Sequence, residues 1–470
     1  MMSHRNIRSR PSQSRTHPAA DPELTGSGLV EDDVRSARRP NVTGGTTTDR
    51  RPLAIVSVHA SPLAALGSQE NGGMNVYVRA VCEELSRHGV PTEVFTRRTD
   101  TGPDRVRLAD LSWVTRVPAG DPAASAKEDL FDLLPAFTQA VLAEQERRGV
   151  DYQLIHSHYW LSGWVARQLK AEWRVPWFHT AHTLARVKNE RAAAGSLAEP
   201  EHRIAVEQAV VRDSDRLVAS TMAEAEDLIR LYGADWSHLT VVPPGVSLKM
   251  FGPRPTRELR LRLGLLDTRV ILFAGRLERL KGAETLLEAF ALLQRRPPVS
   301  QPMALIVIGD DSHNGAVESR SEGGERRRLE ALAARLGIAG SVRFMGAVAQ
   351  GALATYLSLA DVCVVPSYTE SFGLVALEAA ACGTPVVAAR VGGLPAIVKD
   401  GLTGYTIPGH QPALYAERIG QLLQDDELRR CFSRRSRMVA TQFSWERTVE
   451  RLLEEYRRAE EVELQPAVSR

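Results

Sequence analysis

Short apolar segments alternate with helical segments along most of this chain, and this alternation limits the possible folds more than any other feature. Each apolar segment has the length and bulk of a strand buried on both faces of a parallel sheet. In chain order they read LAIVSVHA, TEVFTR, WVTRVP, YQLIHSH, PWFHTAH and RLVAST, and then VILFAG, ALIVIGD, VRFMGA, DVCVVPS and TPVVAAR. Strands that alternate with helices in this way predict doubly wound parallel sheets, which is an α/β fold.

The alternation stops once, at VVPPGV (Val241–Val246), and restarts with VILFAG. A chain of 470 residues is long enough for two such domains. We therefore predict one domain over residues 51–245 and a second over residues 246–442. Residues 1–50, rich in Arg, Ser, Pro, Gly and Thr, are expected to form a disordered tail. Residues 443–470 have helical spacing and predict a final helix and tail that can cross back to the first domain.

The charge balance and the cysteine pattern exclude several classes of function. Lys and Arg total 59 against 57 Asp and Glu, so a net charge of +2 gives no electrostatic case for nucleic acid as a partner. The four cysteines form no CxxC pair and have no His cluster beside them, which argues against zinc or disulfides and fits a reducing cytoplasm. No apolar run approaches the roughly 20 residues that span a bilayer, so we expect a cytoplasmic protein without membrane insertion.

The segment ENGGMN (Glu70–Asn75) lies between the first predicted strand and the first predicted helix. Gly72 and Gly73 would let the backbone approach a ligand closely, and the helix start offers free N–H groups to an anion. His59 stands at the end of the preceding strand. The segment therefore predicts contact with a donor diphosphate or an anionic acceptor, although a plain turn would also satisfy the pattern.

The segment GRLERLKG (Gly275–Gly282) follows the first strand of the second half and carries the cations Arg276 and Lys281. Two cations at a strand end in a cleft suit a pyrophosphate leaving group, because neutralising its charge is a major electrostatic term in transfer chemistry. The alternative is a solvated basic turn.

The segment ESFGLVALE (Glu370–Glu378) follows a buried strand and begins a helix. Gly373 eases the turn from loop to helix, which leaves Glu370 in the loop and Glu378 on the helix. Carboxylates accept hydrogen bonds from sugar hydroxyls, so this pair predicts one contact to a donor sugar and one to a ribose. Two surface glutamates would be the alternative.

The segments HSHYWLSG and HTAHTL place Tyr159 and His182 just beyond strands of the first half. A histidine there can orient a sugar hydroxyl or donate a hydrogen bond to a phosphate, although it can also be a core histidine. His156 and His158 are expected to be structural.

Together these motifs resemble the family 4 glycosyltransferases with the GT-B fold, over about residues 53–450. The resemblance implies two Rossmann-like doubly wound parallel-sheet domains that face each other across a cleft. The segments HASPLAALGSQENGGMNVYV, HSHYWLSG, HTAHTLARVKN and EPEHR further resemble the members of this family that act on an inositol phosphate. That similarity implies retaining transfer of N-acetylglucosamine from UDP-GlcNAc to 1D-myo-inositol 3-phosphate, the first step of mycothiol biosynthesis, by a homodimer.

The resemblance also implies a role for each residue that matches a family motif. The catalytic set comprises His182, Arg276, Lys281 and Glu370. The donor set comprises Ala65, Leu66, Gly73, Arg276, Lys281, Val348, Glu370 and Glu378. The acceptor set comprises His59, Glu70, Asn71, Gly72, Gly73, Met74, Asn75, Lys127, Tyr159, Thr183 and Arg203. The cations Lys127 and Arg203 fit a phosphorylated acceptor, because the first half needs no cation for UDP.

The chain departs from the family pattern at Ala65-Leu66 and at Glu70-Asn71, which border the acceptor and donor pocket, and at Thr369 and Leu357-Ser358. The resemblance implies that no cofactor takes part in the chemistry. It also implies a magnesium ion that is held largely by backbone groups, at Leu357, Ser358, Ala360 and Thr384.

Three alternatives to this function stay open at this point. One is an enzyme of the same family with another sugar-phosphate or inositol-lipid acceptor, of which the lipid in a membrane would need a basic, apolar surface helix on the enzyme. Another is a nucleotide-sugar-binding module without turnover, against which the intact Arg276, Lys281, Glu370 and Glu378 argue. The third is an NAD-dependent enzyme, which the lack of GxGxxG after the first strand disfavours.

Overall fold

Two β-sheets, one in each half of the chain, organise the protein. The computed structural model describes residues 51–64, 72–122, 130–191, 198–311 and 324–464. Residues 49–470 belong to one compact unit that contains both sheets. The strands of each sheet are hydrophobic and mostly buried, as the apolar segments of the sequence predict.

The first sheet has its earliest strand near its middle. Its strands are β1 (Leu53–Val56), β2 (Thr92–Arg97), β3 (Arg105–Ala109), β4 (Ser112–Val117), β5 (Leu154–His158), β6 (Trp177–Thr180), β7 (Arg216–Ala219) and β8 (Leu239–Val241). They lie in the order β3-β4-β2-β1-β5-β6-β7-β8, and all neighbours are parallel except β3 with β4. The strand order reverses between β1 and β5, and such a reversal opens a crevice at the carboxyl edge of a sheet.

Helices cover both faces of the first sheet. They are α1 (Gly73–Arg87), α2 (Leu134–Arg148), α3 (Tyr159–Trp173), α4 (Ala185–Glu190), α5 (Glu201–Asp213) and α6 (Met222–Tyr232). Successive residues of a strand point to opposite faces, so β1 contributes to two cores. Ala54 and Val56 pack in the core that contains residues of α2 and α3, whereas Leu53 and Ile55 pack in the core that contains residues of α1.

The second sheet is entirely parallel and is also covered on both faces. Its strands are β9 (Arg269–Ala274), β10 (Met303–Ile308), β11 (Val342–Phe344), β12 (Val362–Val365), β13 (Val386–Ala389) and β14 (Gly404–Ile407), in the order β11-β10-β9-β12-β13-β14. The helices of this half are α7 (Arg257–Arg262), α8 (Ala283–Arg295), α9 (Glu325–Arg335), α10 (Gln350–Leu359), α11 (Leu374–Ala381), α12 (Leu394–Ile397), α13 (Pro412–Gln424) and α14 (Asp426–Ala440). Val270 and Leu272 of β9 enter one core, and Ile271 and Phe273 enter the other. The predicted fold class, two doubly wound parallel sheets, is confirmed.

The last helix, α15 (Trp445–Leu464), follows the second half in sequence but packs against the first. The Trp445 ring lies 5.6 Å from the ring of Tyr77 on α1. Near the crossing, Val246 pairs with Ser444, and a Cβ atom at Gly245 would lie 2.3 Å from the Trp445 nitrogen. Only glycine fits where the two chain segments touch so closely. Within the described residues, we find no helix with the length and apolar character needed to cross a membrane.

Candidate active site

The carboxyl ends of three neighbouring strands bring three predicted site residues of the first half together. Strands β1, β5 and β6 are adjacent, and His59, Tyr159 and His182 follow them in the chain. The rings of His59 and Tyr159 lie 4.7 Å apart. Tyr77, which the sequence analysis missed, lies edge-on to His182 at 5.2 Å and links this group to α1.

Two of these residues have a strained backbone. Tyr159 has φ 75° and His182 has φ 59°, in the left-handed region that residues with a side chain rarely adopt. Such strain costs on the order of 1–3 kcal/mol per residue and concentrates at ligand-binding sites, because function retains a geometry that stability alone would discard. The strain at both strand ends is consistent with the functional prediction for Tyr159 and His182.

His182 is a neutral imidazole at physiological pH. Its Nε2 lies 3.0 Å from Nδ1 of His158, so one of the two rings donates a hydrogen bond to the other. Burial lowers the pKa of His182 to about 3 and holds the pKa of His158 well below its ordinary value. His182 can therefore orient a hydroxyl group, but it brings no positive charge to a phosphate. His156 and His158 are fully buried, in keeping with the structural role expected for them.

Three residues of the predicted acceptor set meet around one buried guanidinium. Arg203 on α5 is 2% exposed, and its Nη2 donates to Thr183 Oγ1 at 3.1 Å and to the Thr183 carbonyl at 3.3 Å. Its Cζ lies 5.0 Å from the centre of the Tyr159 ring, which is a cation–π distance. The structure thus places a cation, a hydroxyl and an aromatic face together beyond β5 and β6.

The sequence analysis missed the carboxylates that hold this arginine. Glu199 accepts from Arg203 Nη1 at 2.6 Å, and Glu207 accepts from Arg203 Nε at 2.8 Å. Lys188 of α4 pairs with Glu199 on its other side. The spacing in EPEHRIAVE indicates both carboxylates, because residues four positions before and after Arg203 lie beside it on a helical path.

The start of α1 carries four more residues of the predicted acceptor set. Gly72 caps the helix and Gly73 is exposed, while Met74 is half-buried and contacts both cores of the first half. Asn75 is buried, and its Nδ2 donates to the Ser61 carbonyl at 3.0 Å. Asn75 therefore ties the loop after β1 to the helix. The predicted residues Ala65, Leu66, Glu70, Asn71 and Lys127 lie outside the described residues.

The second half brings the predicted cations and Glu370 to the carboxyl edge of its sheet. Lys281 Nζ lies 2.8 Å from Glu370 Oε2. Arg276 follows β9, its side chain is 40% exposed, and its Nε lies 2.9 Å from Glu278 Oε1. An ammonium group has three N–H donors, so Lys281 can contact Glu370 and still donate to a phosphate oxygen.

The loop that carries Glu370 is fixed by two glycines of the loop after β13. A Cβ atom at Gly392 would lie 1.7 Å from the Glu370 carbonyl oxygen, and Gly393 N donates to that same oxygen at 3.1 Å. Gly373, with φ 101°, then turns the chain into α11, as predicted. Glu378 lies on α11, and burial raises the pKa of its carboxyl group to about 8.

The two halves touch where the predicted motifs face each other. Ser371, next to Glu370, donates a hydrogen bond from its Oγ to the backbone carbonyl of His182. At Gly73 an added Cβ atom would lie 3.0 Å from Leu374 of α11. The predicted acceptor and donor motifs therefore lie on facing sides of one cleft.

Val348 lies in the loop after β11, half-buried against a core of the second half.

The predicted magnesium contacts lie in the same half, around the end of α10. Thr384 Oγ1 donates to the Leu357 carbonyl at 2.5 Å, and Ser358 Oγ donates to the Ala354 carbonyl at 2.8 Å. Ala360 is buried and its N–H also donates to the Leu357 carbonyl, at 3.2 Å.

Magnesium prefers carboxylate and water oxygens, and the side chains of these four residues offer no ligand of that kind. The side-chain hydroxyls of the set are used in hydrogen bonds within the protein, and none of the four residues is a carboxylate. Among the residues that the structure describes, no group of three or more His, Cys, Asp or Glu could hold a metal ion. Magnesium binding stays a prediction, and no step of the reaction is derived from it.

Two family models match the chain, one in each half. Residues 72–245 match the glycosyl transferase 4-like domain, and residues 257–439 match the glycosyl transferases group 1. The chain is 44% identical over 405 residues to a D-inositol 3-phosphate glycosyltransferase of Corynebacterium jeikeium, covering 85% of this chain and 95% of that protein. It is 45% identical over 420 residues to the protein of the same name from Acidothermus cellulolyticus, covering 88% and 92% of the two chains.

Solved structures show the same architecture. A sucrose-phosphate synthase from Thermosynechococcus elongatus superposes with a TM-score of 0.79 at 36% identity, over 88% of this chain and all of that one (100%). The Anabaena HepE protein, solved with UDP-glucose, superposes with a TM-score of 0.69 at 19% identity, over 87% of this chain and 99% of that one. At this low identity the second likeness supports the fold alone.

Proposed function

The chain belongs to the family 4 (group 1) glycosyltransferases with the GT-B fold and is a glycosyltransferase; on this premise we propose that it transfers N-acetylglucosamine from UDP-GlcNAc to 1D-myo-inositol 3-phosphate, the first step of mycothiol biosynthesis. Relatives that are 44–45% identical to the chain are named for this acceptor, which supports the assignment. The donor sugar, the retained anomeric configuration, a cytoplasmic location and a homodimeric state are part of the proposal.

One observation carries the acceptor assignment. A buried arginine, Arg203, lies beside Thr183 and Tyr159 at the carboxyl edge of the first sheet, in the half that faces the diphosphate motifs. Glu199 and Glu207 pair with this guanidinium inside the protein, and its position at the cleft beside the Thr183 hydroxyl supports an anion-binding role, because a charged hydrogen-bond donor there can also serve a phosphate. A phosphorylated inositol supplies both the anion and the hydroxyls that Thr183 and the neutral His182 can contact.

The second half supplies the donor contacts. Arg276 and Lys281 follow β9 at the cleft and can take up the charge of the departing diphosphate. Glu370 lies 2.8 Å from Lys281 and is anchored through its backbone carbonyl to Gly393. It can therefore accept hydrogen bonds from donor-sugar hydroxyls while it holds the ammonium group in place.

In the proposed transfer, the bond between the sugar C1 and the diphosphate oxygen breaks as the acceptor oxygen approaches C1 on the same face. The bond from the acceptor oxygen to C1 forms, and its proton passes to the departing phosphate oxygen. No protein base is needed, which fits His182, because a ring whose pKa burial lowers to about 3 is a weak base. The transition state resembles an oxocarbenium ion, and the closed cleft limits hydrolysis of the donor by water.

The test is UDP release by the purified full-length protein. With UDP-GlcNAc and 1D-myo-inositol 3-phosphate together, we expect steady release; unphosphorylated myo-inositol should give far less, because the pocket around Arg203 selects an anion. Release only with a different acceptor would assign the chain to another branch of the family. No release with any acceptor would indicate a binding module and contradict the proposal.

Two single variants form a matched pair for the assigned sides of the cleft. Arg203→Ala should raise the acceptor KM about 10- to 100-fold with a much smaller change in the donor KM, because it removes a buried charged hydrogen-bond donor. Arg276→Ala should raise the donor KM much more than the acceptor KM. Thermal melting of both variants checks that they are folded. Equal changes in both KM values for either variant would contradict its assigned role.

A further inference from the structure

The carboxylate of Glu199 lies between two cations in the acceptor pocket. Its Oε2 is 2.6 Å from Arg203 Nη1, and its Oε1 pairs with Lys188 Nζ. Burial alone would raise the pKa of this carboxyl group, but the charges of Arg203 and Lys188 lower it to about 2. Glu199 is therefore an anion held by both cations of this pocket that the structure describes.

The other carboxylate on Arg203, Glu207, is a fixed part of the fold. It is 4% exposed and lies within α5, where its Oε1 accepts from Arg203 Nε at 2.8 Å. Its Oε2 accepts from Ala185 N at 2.9 Å, at the start of α4, and from the Tyr232 hydroxyl at the end of α6. Moving Glu207 would break contacts to three helices at once.

Glu199 differs from Glu207 in its position and exposure. It precedes α5, which begins at Glu201, and its side chain is 20% exposed. Its backbone N–H donates to Asn189 Oδ1 at 2.8 Å, which fixes the main chain and uses no side-chain atom of Glu199. Of the two carboxylates on Arg203, only Glu199 can leave without disrupting a helix.

From this asymmetry we infer that Glu199 is an internal counter-ion that holds the anion position of the acceptor pocket, and that the phosphate group of the acceptor displaces it from Arg203 and Lys188. The inference rests on the proposed acceptor class. With Glu199 in place, the charges of Lys188, Arg203, Glu199 and Glu207 cancel; when it swings away, one positive charge is left for the phosphate. Buried cations without a counter-ion are costly, so the pocket without a bound acceptor retains Glu199 as its counter-ion.

The exchange makes Glu199 a determinant of specificity. A phosphate dianion carries more charge and more acceptor oxygens than a carboxylate, and it competes well for an arginine and a lysine. An acceptor without an anionic group cannot compensate the two cations, so it meets a pocket that Glu199 still occupies. The enzyme thereby excludes free inositol and related neutral polyols.

The experiment compares Glu199→Gln with Glu207→Gln in the full-length protein. Both changes remove one negative charge beside Arg203, so simple electrostatics predicts tighter anion binding in both. Our inference predicts opposite signs. Glu199→Gln should lower the acceptor KM about threefold to tenfold, because the competitor is weakened, whereas Glu207→Gln should raise it, because Arg203 loses its fixed position. The donor KM should change little in Glu199→Gln.

Inorganic phosphate provides a readout that does not need turnover. It should raise the melting temperature of Glu199→Gln at a severalfold lower concentration than is needed for the wild type. Glu199→Asp, with a carboxylate that reaches less far, should shift in the same direction and replaces Glu199→Gln if that variant does not fold. An unchanged or higher acceptor KM, or an unchanged phosphate response, would overturn the inference. Wild-type protein that responds to phosphate but does not use inositol phosphate would contradict the proposed function instead.

Discussion

The two glutamates of ESFGLVALE lie in different electrostatic environments. Glu370 pairs with Lys281 and accepts from Ser367 Oγ at 3.3 Å, with its side chain 18% exposed. Glu378 is buried on α11, and desolvation raises the pKa of its carboxyl group to about 8. Glu370 is therefore paired with an ammonium group, whereas Glu378 near pH 7 presents a carboxylic acid that can both donate and accept. The second arrangement suits the proposed contact to a ribose diol.

The raised pKa of Glu378 has a consequence for stability. The unfolded chain ionises this group near its ordinary pKa of about 4.3, whereas the folded protein holds the proton until about pH 8. The contribution of Glu378 to the free energy of unfolding is therefore greatest below pH 4. It decreases as the pH rises towards 8, by up to about 1.4 kcal/mol per pH unit. Glu378→Gln should remove that loss, so the free energy of unfolding of the variant relative to wild type should increase from pH 5 to pH 8.

Urea denaturation at several pH values measures this difference. Glu427→Gln is the control, because Glu427 is an exposed glutamate in the first turn of α14 and its replacement leaves no buried group changed. The control should follow the wild-type pH profile. If the difference in the free energy of unfolding between Glu378→Gln and wild type were constant from pH 5 to pH 8, the Glu378 carboxyl group would be ionised throughout that range. Its proposed role as a hydrogen-bond donor would then be wrong.

At the scale of elements, the sequence predicted those strands whose side chains are buried on both faces. β1 and β12 are apolar runs and β5 reads LIHSH; every residue of these three strands is buried, and all three were predicted. The edge strand β3, RVRLA, was missed, because it pairs antiparallel with β4, is only partly buried and has a polar composition. The edge strand β14, GYTI, was missed because four residues next to a turn carry little pattern.

The helix α15 contributes a buried hydrogen bond to the first half. The Tyr456 hydroxyl lies 2.6 Å from His156 Nδ1, and His156 Nε2 lies 2.9 Å from Thr180 Oγ1 at the end of β6. Burial lowers the pKa of His156 to about 3, so the ring is neutral in this network. Tyr456→Phe would leave a buried ring nitrogen without its partner, and we expect a loss of about 1–3 kcal/mol in the free energy of unfolding.

Chemical denaturation of the full-length protein tests this loss. Tyr415→Phe is a matched control, because Tyr415 is equally buried and its hydroxyl makes only a long contact, 3.4 Å, to the Gly409 carbonyl. We expect a clearly smaller loss for the control. Since His156 stays neutral above pH 5, the effect of Tyr456→Phe should be the same at pH 6 and pH 8. Equal stability of the two variants would show that α15 is held by apolar packing alone.

At the scale of the whole molecule, the sequence located the cleft but not the contacts across it. Motifs after strands predict which loops line the site, because parallel strands share one carboxyl edge. The hydrogen bonds between Ser371 and His182 and between Tyr456 and His156 join residues that are 189 and 300 positions apart. Such pairs depend on how the two halves and α15 pack, and no local pattern of a single sequence encodes that packing. Glu199 and Glu207 were within reach of helical spacing, but without the fold nothing distinguished them from solvated charges.

The contact between Ser371 and His182 leads to a prediction about domain closure. The Ser371 hydroxyl donates to the strained His182 backbone across the cleft, so removing it should favour the open state by about 0.5–1.5 kcal/mol. Ser371→Ala should then raise the apparent KM of both substrates about 2- to 10-fold, because less of the protein is competent to bind, while kcat at saturation stays close to wild type.

Ser436→Ala, which removes a buried hydroxyl that donates to the Ser433 carbonyl at 3.0 Å within α14, is the matched control and should leave both KM values unchanged. Steady-state kinetics of the two variants tests this prediction. If Ser371→Ala and Ser436→Ala have the same KM values, the Ser371 hydroxyl does not contribute to closing the cleft. The two halves are then held together by packing, such as that of Leu374 against Gly73.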